Sequence, residues 1–410
     1  MIIIRAAACA AAATLGLVLA GCGGPGGDGG TGVTENEIVL GATNALSGPA
    51  AGPCAPLSEG SQAWFDHVNA NGGVRDRQIR FEVLDDGYVA SRAVSNVRTL
   101  LGEPVLAVVG ACGTTTAAAI ADPLDQADVP YLFPYAGLAS VVEPAKENVF
   151  SLFPLYERQI RPLVPYAFGE LGPGSVFTVA NQWPGYEDSI AISEEVTTAS
   201  GGRFLGSLVT PIGTNDYTPA ALQIKAADPD YLVVNASATD GAKLVNALVA
   251  QDALPTKAIL GVATLAQGEF SSAVDEAATD KVIAASPIQL PPADDSECAQ
   301  ALEAAGLERE SGHLFGCAVG QATTAALEQA DELTREGLLR ALGGWQEAEV
   351  APGVLPPVTF TEQDHLGLDS VFVVRMNGRE FQTTARCSLD AASGDPCAPV
   401  DEAGPTGDAG

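Results

Sequence analysis

Short apolar runs alternate with amphipathic segments in the first third of the chain. Runs that are apolar, or that alternate with polar residues, predict strands at 37–42, 79–83, 105–109 and 129–133. Apolar residues at helical spacing predict helices at 58–71, 89–101 and 116–126. Ser58 is the expected N-cap of the first helix, and Val94, Val97 and Leu101 are expected to face the core from the second.

The same alternation returns in the rest of the chain. Strands are predicted at 175–180, 203–209, 231–235 and 258–262, and helices at 187–199, 219–227 and 241–251. From Lys281 onward the pattern predicts a further strand, two helices and a β-rich end: helices at 298–305 and 319–342, strands at 358–360 and 370–381. Met376-Asn377-Gly378-Arg379 is typical of a tight hairpin.

This order of elements indicates an α/β fold. Continuous apolar strands separated by amphipathic helices favour parallel sheets covered by helices on both faces. The 410 residues, of which 47% are hydrophobic, are too many for one small core. We therefore expect two doubly wound parallel-sheet lobes.

The N-terminus has the pattern of an export signal. One cation, Arg5, precedes an apolar stretch that is too short and too rich in alanine for a comfortable membrane span. The stretch ends in Leu19-Ala20-Gly21-Cys22, which resembles a bacterial lipobox. We expect a signal peptide at 1–21, a lipid anchor on Cys22 and a flexible Gly-rich tether at 22–35, at the extracellular face of the cell membrane. The alternative is an ordinary signal peptide with a chance cysteine.

The charge of the chain limits its partners. The formal net charge is −31, and no basic patch of any length occurs. Nucleic acid is therefore not an expected partner, because its recognition needs clustered Lys and Arg. We expect a monomer. The acidity affects solubility and repulsion between molecules and carries no information about the fold.

Six cysteines remain once Cys9 is removed with the signal and Cys22 is assigned to lipid. An even number in an exported chain argues for disulfides. Spacing favours Cys387–Cys397 around a Gly-Asp-Pro turn and Cys298–Cys317 between neighbouring helices, which leaves Cys54–Cys112, both in loops after early strands. A metal site is the weaker alternative, because no Cys-x-x-Cys occurs and the three histidines do not cluster in sequence: His67, His313 and His365.

Three segments, taken in order, resemble the type I periplasmic binding proteins, and among them the branched-chain amino acid and amide (Leu/Ile/Val-type) subfamily. They are Gly41-Ala42-Thr43-Asn44-Ala45-Leu46-Ser47-Gly48-Pro49, then Phe65-Asp66-His67-Val68-Asn69-Ala70-Asn71-Gly72-Gly73-Val74 with Asp85-Asp86 after it, then Val108-Val109-Gly110-Ala111-Cys112-Gly113-Thr114-Thr115-Thr116. The resemblance extends over about residues 37–380.

The resemblance implies two similar lobes joined by three crossing strands and closing on a ligand like a hinge. The crossings are expected near 150–154, 284–287 and 353–357, where apolar segments end at or beside Pro. The implied lobes are 36–152 with 286–354, and 153–285 with 355–386, followed by an acidic tail at 387–410.

Residues 113–116 occupy a junction between a predicted strand and a predicted helix. Backbone N–H groups at helix starts favour anionic or carbonyl oxygens, and Thr hydroxyls donate or accept. We expect Thr114 and Thr115 to contact ligand; the alternative is that a Thr only caps the helix. In the family, this loop and the one that matches Tyr135-Ala136-Gly137 hold the ligand's carboxylate and amino group, which implies Tyr135 and Gly137 as contacts.

Further ligand contacts are expected from both lobes. Ser47 lies in the first resembling segment. Tyr186 matches a family tyrosine that lines the cleft. Trp183, in a loop beside Pro and Gly, is expected to form a cleft wall, with packing beneath the loop as its alternative.

The sequence departs from the family at two positions. Val262-Ala263-Thr264 stands where the amino acid binders place an acidic residue, and Ser237 stands where they have a second cleft Tyr. A buried ammonium without a carboxylate partner is costly, so an amide, a carboxylic acid or another neutral polar solute fits better than a standard α-amino acid. Ser237 and Thr264 remain expected contacts. A substitute charge is available from three acids that are otherwise expected to be solvated: Glu187, Asp188 and Asp240.

No catalytic motif supports an enzyme. Gly-x-Ser-x-Gly, His-Glu-x-x-His and a P-loop are all missing from the sequence. Adjacent strand residues such as Asp85 and Asp86 point to opposite faces, so we expect them to anchor a loop. We expect no cofactor. The predicted function is capture of a small solute (an amino acid, an amide or a carboxylic acid) and its delivery to an ABC transporter permease. The alternatives are a ligand sensor that docks a membrane receptor, and a surface hydrolase or adhesin.

Overall fold

Two separate sheets organise the chain in the computed structural model, which describes residues 32–48, 50–390 and 397–400. The predicted signal peptide, Cys22 and most of the predicted tether lie outside the described residues, as does most of the tail. Residues 32–35 of the predicted tether are described and lie against the first strand, where Gly32 O accepts a hydrogen bond from Val39 N at 2.7 Å.

The first lobe contains a fully parallel sheet. Its strands are β1 (Glu37–Asn44), β2 (Gln78–Asp85), β3 (Ala107–Val109), β4 (Tyr131–Leu132) and β5 (Val149–Phe150). They lie in the order β2-β1-β3-β4-β5, and each neighbouring pair is parallel. Its helices come from two parts of the chain: α1 (Ala51–Ala70), α2 (Ala90–Gly102), α3 (Thr114–Asp125), α4 (Ala139–Val142), α10 (Glu297–Ala305), α11 (Ser311–Gln329) and α12 (Arg335–Gly343).

The second lobe extends a parallel sheet with antiparallel strands. The strands are β6 (Ser175–Asn181), β7 (Arg203–Thr210), β8 (Tyr231–Asn235), β9 (Ala258–Gly261), β10 (Val282–Ser286), β11 (Ser370–Asn377), β12 (Glu380–Ser388) and β13 (Cys397–Pro399). They lie in the order β13-β12-β11-β10-β9-β8-β6-β7, parallel from β10 to β7 and antiparallel beyond β10. The helices are α5 (Tyr156–Leu171), α6 (Tyr186–Ala199), α7 (Thr218–Ala227), α8 (Ala238–Ala250), α9 (Gly268–Ala273), and 3₁₀ turns at Ala263–Ala266 and Glu276–Lys281.

The chain passes between the lobes three times, the number that the resemblance implies. It leaves the first lobe after β5, returns after β10 to form α10 to α12, and leaves again before β11. On the third passage it runs beside β5, where Ser151 forms an isolated parallel bridge with Leu366. The lobe boundaries themselves stay predictions.

Glycines on α11 allow it to lie directly against α1. Gly316 and Gly320 are four residues apart and therefore share a helix face. A Cβ at Gly316 would overlap the backbone oxygen of Leu57, and one at Gly320 would lie 2.9 Å from the Trp64 side chain. Close backbone approach therefore joins a helix from the later part of the chain to the first helix.

Most predicted elements are confirmed to within a few residues, but the predicted start of the first helix and one predicted core residue of the second are wrong. α1 begins at Ala51, so Ser58 lies inside it, where its buried hydroxyl accepts a hydrogen bond from Asn44 Nδ2 at 2.7 Å. On α2, Val97 is buried and Val94 packs against the core as predicted, but Leu101 is exposed and Leu100 is buried in its place.

The later part of the chain departs further from the prediction. The single helix expected at 319–342 is two helices, and Thr334 caps the second by accepting from Gly337 N at 3.1 Å. The strand expected at 358–360 is only a bridge between Ala348 and Val358. The sequence reading missed α5, which contains Pro162 and Pro165, residues that ordinarily break helices.

Three disulfides confirm the two pairings that spacing favours and the third pairing that remains. Cys54–Cys112 joins the first turn of α1 to the loop before α3, Cys298–Cys317 joins α10 to α11, and Cys387–Cys397 joins β12 to β13. The predicted hairpin is also confirmed, with Gly378 at φ 60° in the turn between β11 and β12. Among the residues that the structure describes, no helix combines the length and apolarity needed to cross a membrane.

Candidate functional site

The loops that follow the strands of one sheet meet the loops that follow the strands of the other. In the first lobe, α3 begins directly after Gly113, whose φ of 104° suits only glycine, and a Cβ there would lie 2.7 Å from the Tyr88 ring. Thr114 is buried at the first position of α3, whereas Thr115 is exposed. The capping alternative is wrong, because Gly113 is the N-cap and no side chain caps α3.

Tyr156, at the start of α5, is the side chain on which three predicted residues converge. Thr114 Oγ1 lies 3.4 Å from the Tyr156 hydroxyl. Gly137 O accepts from Tyr156 N at 3.2 Å, and a Cβ at Gly137 would lie 3.0 Å from the Tyr156 ring. Trp183, from the loop after β6, stacks on the same ring with centroids 4.9 Å apart and an interplanar angle of 13°. Residues from both lobes therefore meet at one aromatic ring.

The Tyr156 hydroxyl is held in its neutral form. Burial raises the pKa of Tyr156 to about 12, so the hydroxyl keeps its proton at physiological pH and can donate a hydrogen bond. The sequence reading missed this residue. The available signal was an aromatic residue two positions after Pro154, next to an expected crossing between the lobes.

Tyr135 carries a second contact between the lobes. Its ring packs against Phe153 and Phe315, with centroids 4.2 and 5.0 Å away. Its hydroxyl accepts a hydrogen bond from Gln267 Nε2 of the second lobe at 2.7 Å. Burial raises the pKa of Tyr135, so this hydroxyl also stays neutral.

Ser47 is engaged in holding its own loop. Its hydroxyl donates to Asp85 Oδ2 at 2.5 Å, and the backbone N–H groups of Leu46 and Ser47 donate to Asp85 Oδ1. These hydrogen bonds, led by the Ser47 hydroxyl, lower the pKa of Asp85. Buried Asp86 accepts from Thr43 Oγ1 at 3.0 Å. The loop-anchoring role expected for the two aspartates is confirmed.

The remaining predicted residues of the second lobe also make local bonds. Tyr186 is the first residue of α6 and is partly exposed. Ser237 caps α8 by accepting from Asp240 N at 3.2 Å. Thr264 is buried and donates to Ala236 O at 2.6 Å. Tyr186 reaches the cluster around Tyr156 only through its backbone, because its N–H donates to Trp183 O at 3.3 Å. For Ser237 and Thr264, the structure shows no hydrogen bond or ring contact with Tyr156, Thr114, Gly137 or Trp183 among the described residues.

The three acidic residues that could replace the family's missing carboxylate differ in exposure. Glu187 and Asp188 are exposed, as expected. Asp240 is buried, and the expectation that it is solvated is wrong, because its Oδ2 accepts from Gly213 N at 2.9 Å in the loop after β7. A carboxylate that the sequence reading missed, Glu269, lies in the first turn of α9 and accepts from Thr239 Oγ1.

No metal site appears in the described part of the chain. Among those residues, no group of three or more His, Cys, Asp or Glu is placed to hold a metal ion. Two histidines make structural contacts instead: His313 Nε2 lies 3.1 Å from Glu59 Oε2, and His365 stacks on Phe150 at 4.1 Å. His313 lies within α11.

Paired α/β lobes whose strand ends meet across polar and aromatic side chains define a two-lobed solute-binding protein. The periplasmic binding protein family model matches residues 37–381. The chain belongs to the periplasmic binding protein family, of the type I class that the resemblance indicated. The family and its structural neighbours are binding proteins and not enzymes.

One curated relative is similar to the chain over part of its length. Leu/Ile/Val-binding protein homolog 3 of Brucella melitensis is 22% identical over 236 residues, which are 57% of this chain and 63% of the relative. The chain therefore matches less than two thirds of that relative's length.

The solved structures share the fold at low sequence identity. A fatty acid ABC transporter substrate-binding protein from Thermomonospora curvata superposes with a TM-score of 0.76 at 19% identity, over 91% of this chain and 95% of that one. A branched-chain amino acid ABC transporter protein from Thermus thermophilus with bound valine gives 0.74 at 16%, over 86% and 96%. A branched-chain amino acid substrate-binding protein from Streptococcus pneumoniae with isoleucine gives 0.73 at 18%, over 85% and 99%.

Proposed function

We propose that the chain captures a small polar solute between its two lobes and delivers it to an ABC transporter permease. The observation that carries the proposal is the convergence of Thr114, Gly137 and Trp183 on Tyr156, because it brings residues of both lobes to one place. A solute that touches both sides stabilises the closed arrangement and shifts a pre-existing balance between open and closed forms.

The chemistry of the cleft supports a neutral solute or a carboxylic acid. Position 264 carries a threonine whose hydroxyl is bonded to Ala236 O, so a ligand ammonium would meet no carboxylate there. Thr114 and the first turn of α3 offer a hydroxyl and backbone N–H groups, which suit carboxylate or amide oxygens. The relatives whose names describe valine, isoleucine or fatty acid ligands leave both kinds of solute open.

A panel of small solutes tests the proposal directly. Thermal unfolding of the full chain is followed with isobutyramide, isobutyrate, L-valine, L-isoleucine and dodecanoate. A ligand that binds only the folded chain raises Tm with concentration. We expect the amide or the short carboxylate to raise Tm and L-valine to leave it unchanged. If no solute in the panel raises Tm and none copurifies with the chain, the proposal is wrong.

A matched pair of threonine variants locates the site. Thr114→Val removes the hydroxyl beside Tyr156, whereas Thr99→Val removes an exposed hydroxyl that bonds within α2 to Ser95 O. We expect Thr114→Val to weaken affinity for the solute found above by about tenfold, the effect of about one hydrogen bond, and Thr99→Val to leave it unchanged. Equal affinities in titration calorimetry would remove Thr114 from the site.

We also propose that a lipid on Cys22 holds the chain at the extracellular face of the membrane. The lipobox-like segment before Cys22 and the Gly-rich sequence after it support this anchor. In detergent phase partition, we expect the wild-type chain in the detergent phase and the Cys22→Ala variant in the aqueous phase. Recovery of both in the aqueous phase would contradict the anchor.

A further inference from the structure

A three-residue segment of the second lobe touches the first lobe at three places. Gln267, Gly268 and Glu269 form the connection between the 3₁₀ turn at Ala263–Ala266 and the start of α9. Each residue makes a different kind of contact across the boundary between the lobes. None of the three belongs to the cluster around Tyr156.

The first contact is a hydrogen bond from Gln267. Gln267 is only 7% exposed, and its Nε2 donates to the Tyr135 hydroxyl at 2.7 Å. The Tyr135 ring is fixed on the first-lobe side by Phe315 of α11, with centroids 5.0 Å apart. The acceptor is therefore already in position when the lobes meet.

The second contact depends on the absence of a side chain at Gly268. A Cβ at this position would overlap Glu310 Oε2. Glu310 is the residue before α11, and α11 lies against α1 in the first lobe. A glycine at 268 leaves room for the Glu310 carboxyl group in the position that it occupies, and a larger residue would displace that carboxyl group.

The third contact brings a carboxylate to a helix start. Glu269 Cδ lies 3.3 Å from the Cβ position of Gly52, in the first turn of α1. α1 has no acidic residue in its first turn and no capping side chain. The partial positive charge of this helix end favours a nearby anion, and Glu269 supplies it from the other lobe. The Thr239 hydroxyl, which donates to Glu269 Oε1, holds the carboxylate in place.

We propose that Gln267, Gly268 and Glu269 form a clasp that stabilises the closed arrangement of the lobes and thereby sets the affinity for solute. The inference rests on the proposed function only for its second half, because lobe closure is measurable without any solute. Clasp residues act as positioning residues: they raise affinity by increasing the closed population to which solute binds, and not by touching solute.

Hydrogen–deuterium exchange of the solute-free full chain tests the clasp. We compare wild type with Gln267→Ala and with the control Gln78→Ala, which removes an exposed side chain bonded within the first lobe. We expect Gln267→Ala to speed exchange severalfold in first-lobe peptides covering 52–58 and 133–137, and Gln78→Ala to leave them unchanged. Faster exchange confined to 263–273 would show a local structural role and would overturn the clasp.

A rescue pair tests the same contact from both sides. Gly268→Ala places a methyl group against Glu310, so we expect it to speed exchange at 52–58 and 133–137. Glu310→Ala in the same chain removes the obstacle, and we expect the double variant to return toward the wild-type exchange. Failure of the second substitution to restore protection would contradict the geometry proposed for Gly268.

Titration with isobutyramide and isobutyrate separates the clasp from the proposed function. We expect Gln267→Ala to weaken affinity severalfold and the double variant to restore most of what Gly268→Ala loses. If exchange changes as expected but neither isobutyramide nor isobutyrate binds wild type or any variant, the proposed capture of these two solutes is wrong and the clasp is still supported. If solute binds and all variants share one affinity, the clasp does not set affinity.

Discussion

At the scale of single residues, two buried tyrosines present neutral hydroxyls where the lobes meet. Burial raises the pKa of Tyr135 and of Tyr156 further above physiological pH, so both hydroxyls keep their protons. A neutral hydroxyl both donates and accepts, and it can therefore bind an amide or a carboxylate without a charge of its own. This supports the preference for uncharged or acidic solutes.

Glu157, in the first turn of α5, carries a pH-dependent prediction. Burial, with the nearby carboxylates of Asp188 and Glu143, raises the pKa of Glu157 above its ordinary value of 4.5. The folded chain thus binds this proton more tightly than the unfolded chain, so stability falls as pH rises through the raised pKa. We expect Glu157→Gln to be more stable than wild type at pH 7 and to lose that advantage at pH 4.

Urea unfolding at the two pH values checks this expectation. The relevant quantity is the difference in free energy of unfolding between Glu157→Gln and wild type. A raised pKa predicts that this difference favours the variant more at pH 7 than at pH 4. An equal difference at both pH values, or a larger advantage of the variant at pH 4, would contradict it.

At the scale of elements, the contact between α1 and α11 joins distant parts of the chain. Gly316→Ala places a Cβ into the backbone of Leu57, and overpacking of this kind costs about 1–3 kcal/mol. Gly169→Ala is the control: it lies inside α5 with no atom within 4 Å of its Cβ position. We expect that substitution to stabilise by about 0.5–1 kcal/mol, because alanine favours helix over glycine.

Denaturant unfolding of both glycine variants measures these effects. Opposite signs are the expected result, with Gly316→Ala less stable than wild type and Gly169→Ala at least as stable. A neutral Gly316→Ala would mean that the two helices do not approach as closely as described.

The disulfide between α1 and the loop before α3 is expected to contribute more than the one between α10 and α11. Cys54 and Cys112 are separated by 58 residues, whereas Cys298 and Cys317 are separated by 19. In the chain-entropy account, the longer loop corresponds to about 4 kcal/mol and the shorter to about 3 kcal/mol. Paired Cys→Ala variants, unfolded in urea, give the two values. A larger loss for the shorter loop would contradict the ranking.

Local pattern predicted the strands and the loops that follow them, but not the contacts between lobes. The strand at 231–235 is correct at both ends, because a buried parallel strand is a continuous apolar run. Thr114 lies at the predicted junction for the same local reason. Tyr156 was missed because prolines obscured α5 and because its partners come from three separate loops. Gln267 was missed because its partner, Tyr135, is 132 residues away.

At the scale of the whole molecule, the chain forms two lobes and crosses between them three times. A ligand and the chain's own residues can therefore both favour the same closed arrangement of these lobes. The cluster around Tyr156 supplies the proposed solute contacts, and the clasp supplies direct contacts between the lobes. Because both act on one balance, affinity depends on residues that never meet the solute. Family membership establishes a binding protein, and the solute class is what we propose from the residues around Tyr156.

The most direct test is mass spectrometry of small molecules released when the purified full chain is denatured. The measurement compares wild type with the double variant Thr114→Val and Trp183→Ala. We expect close to one amide or carboxylic acid per wild-type chain and a strong depletion in the variant. Absence of any stoichiometric small molecule from the wild type, or equal amounts from both proteins, would contradict capture of a solute between the lobes.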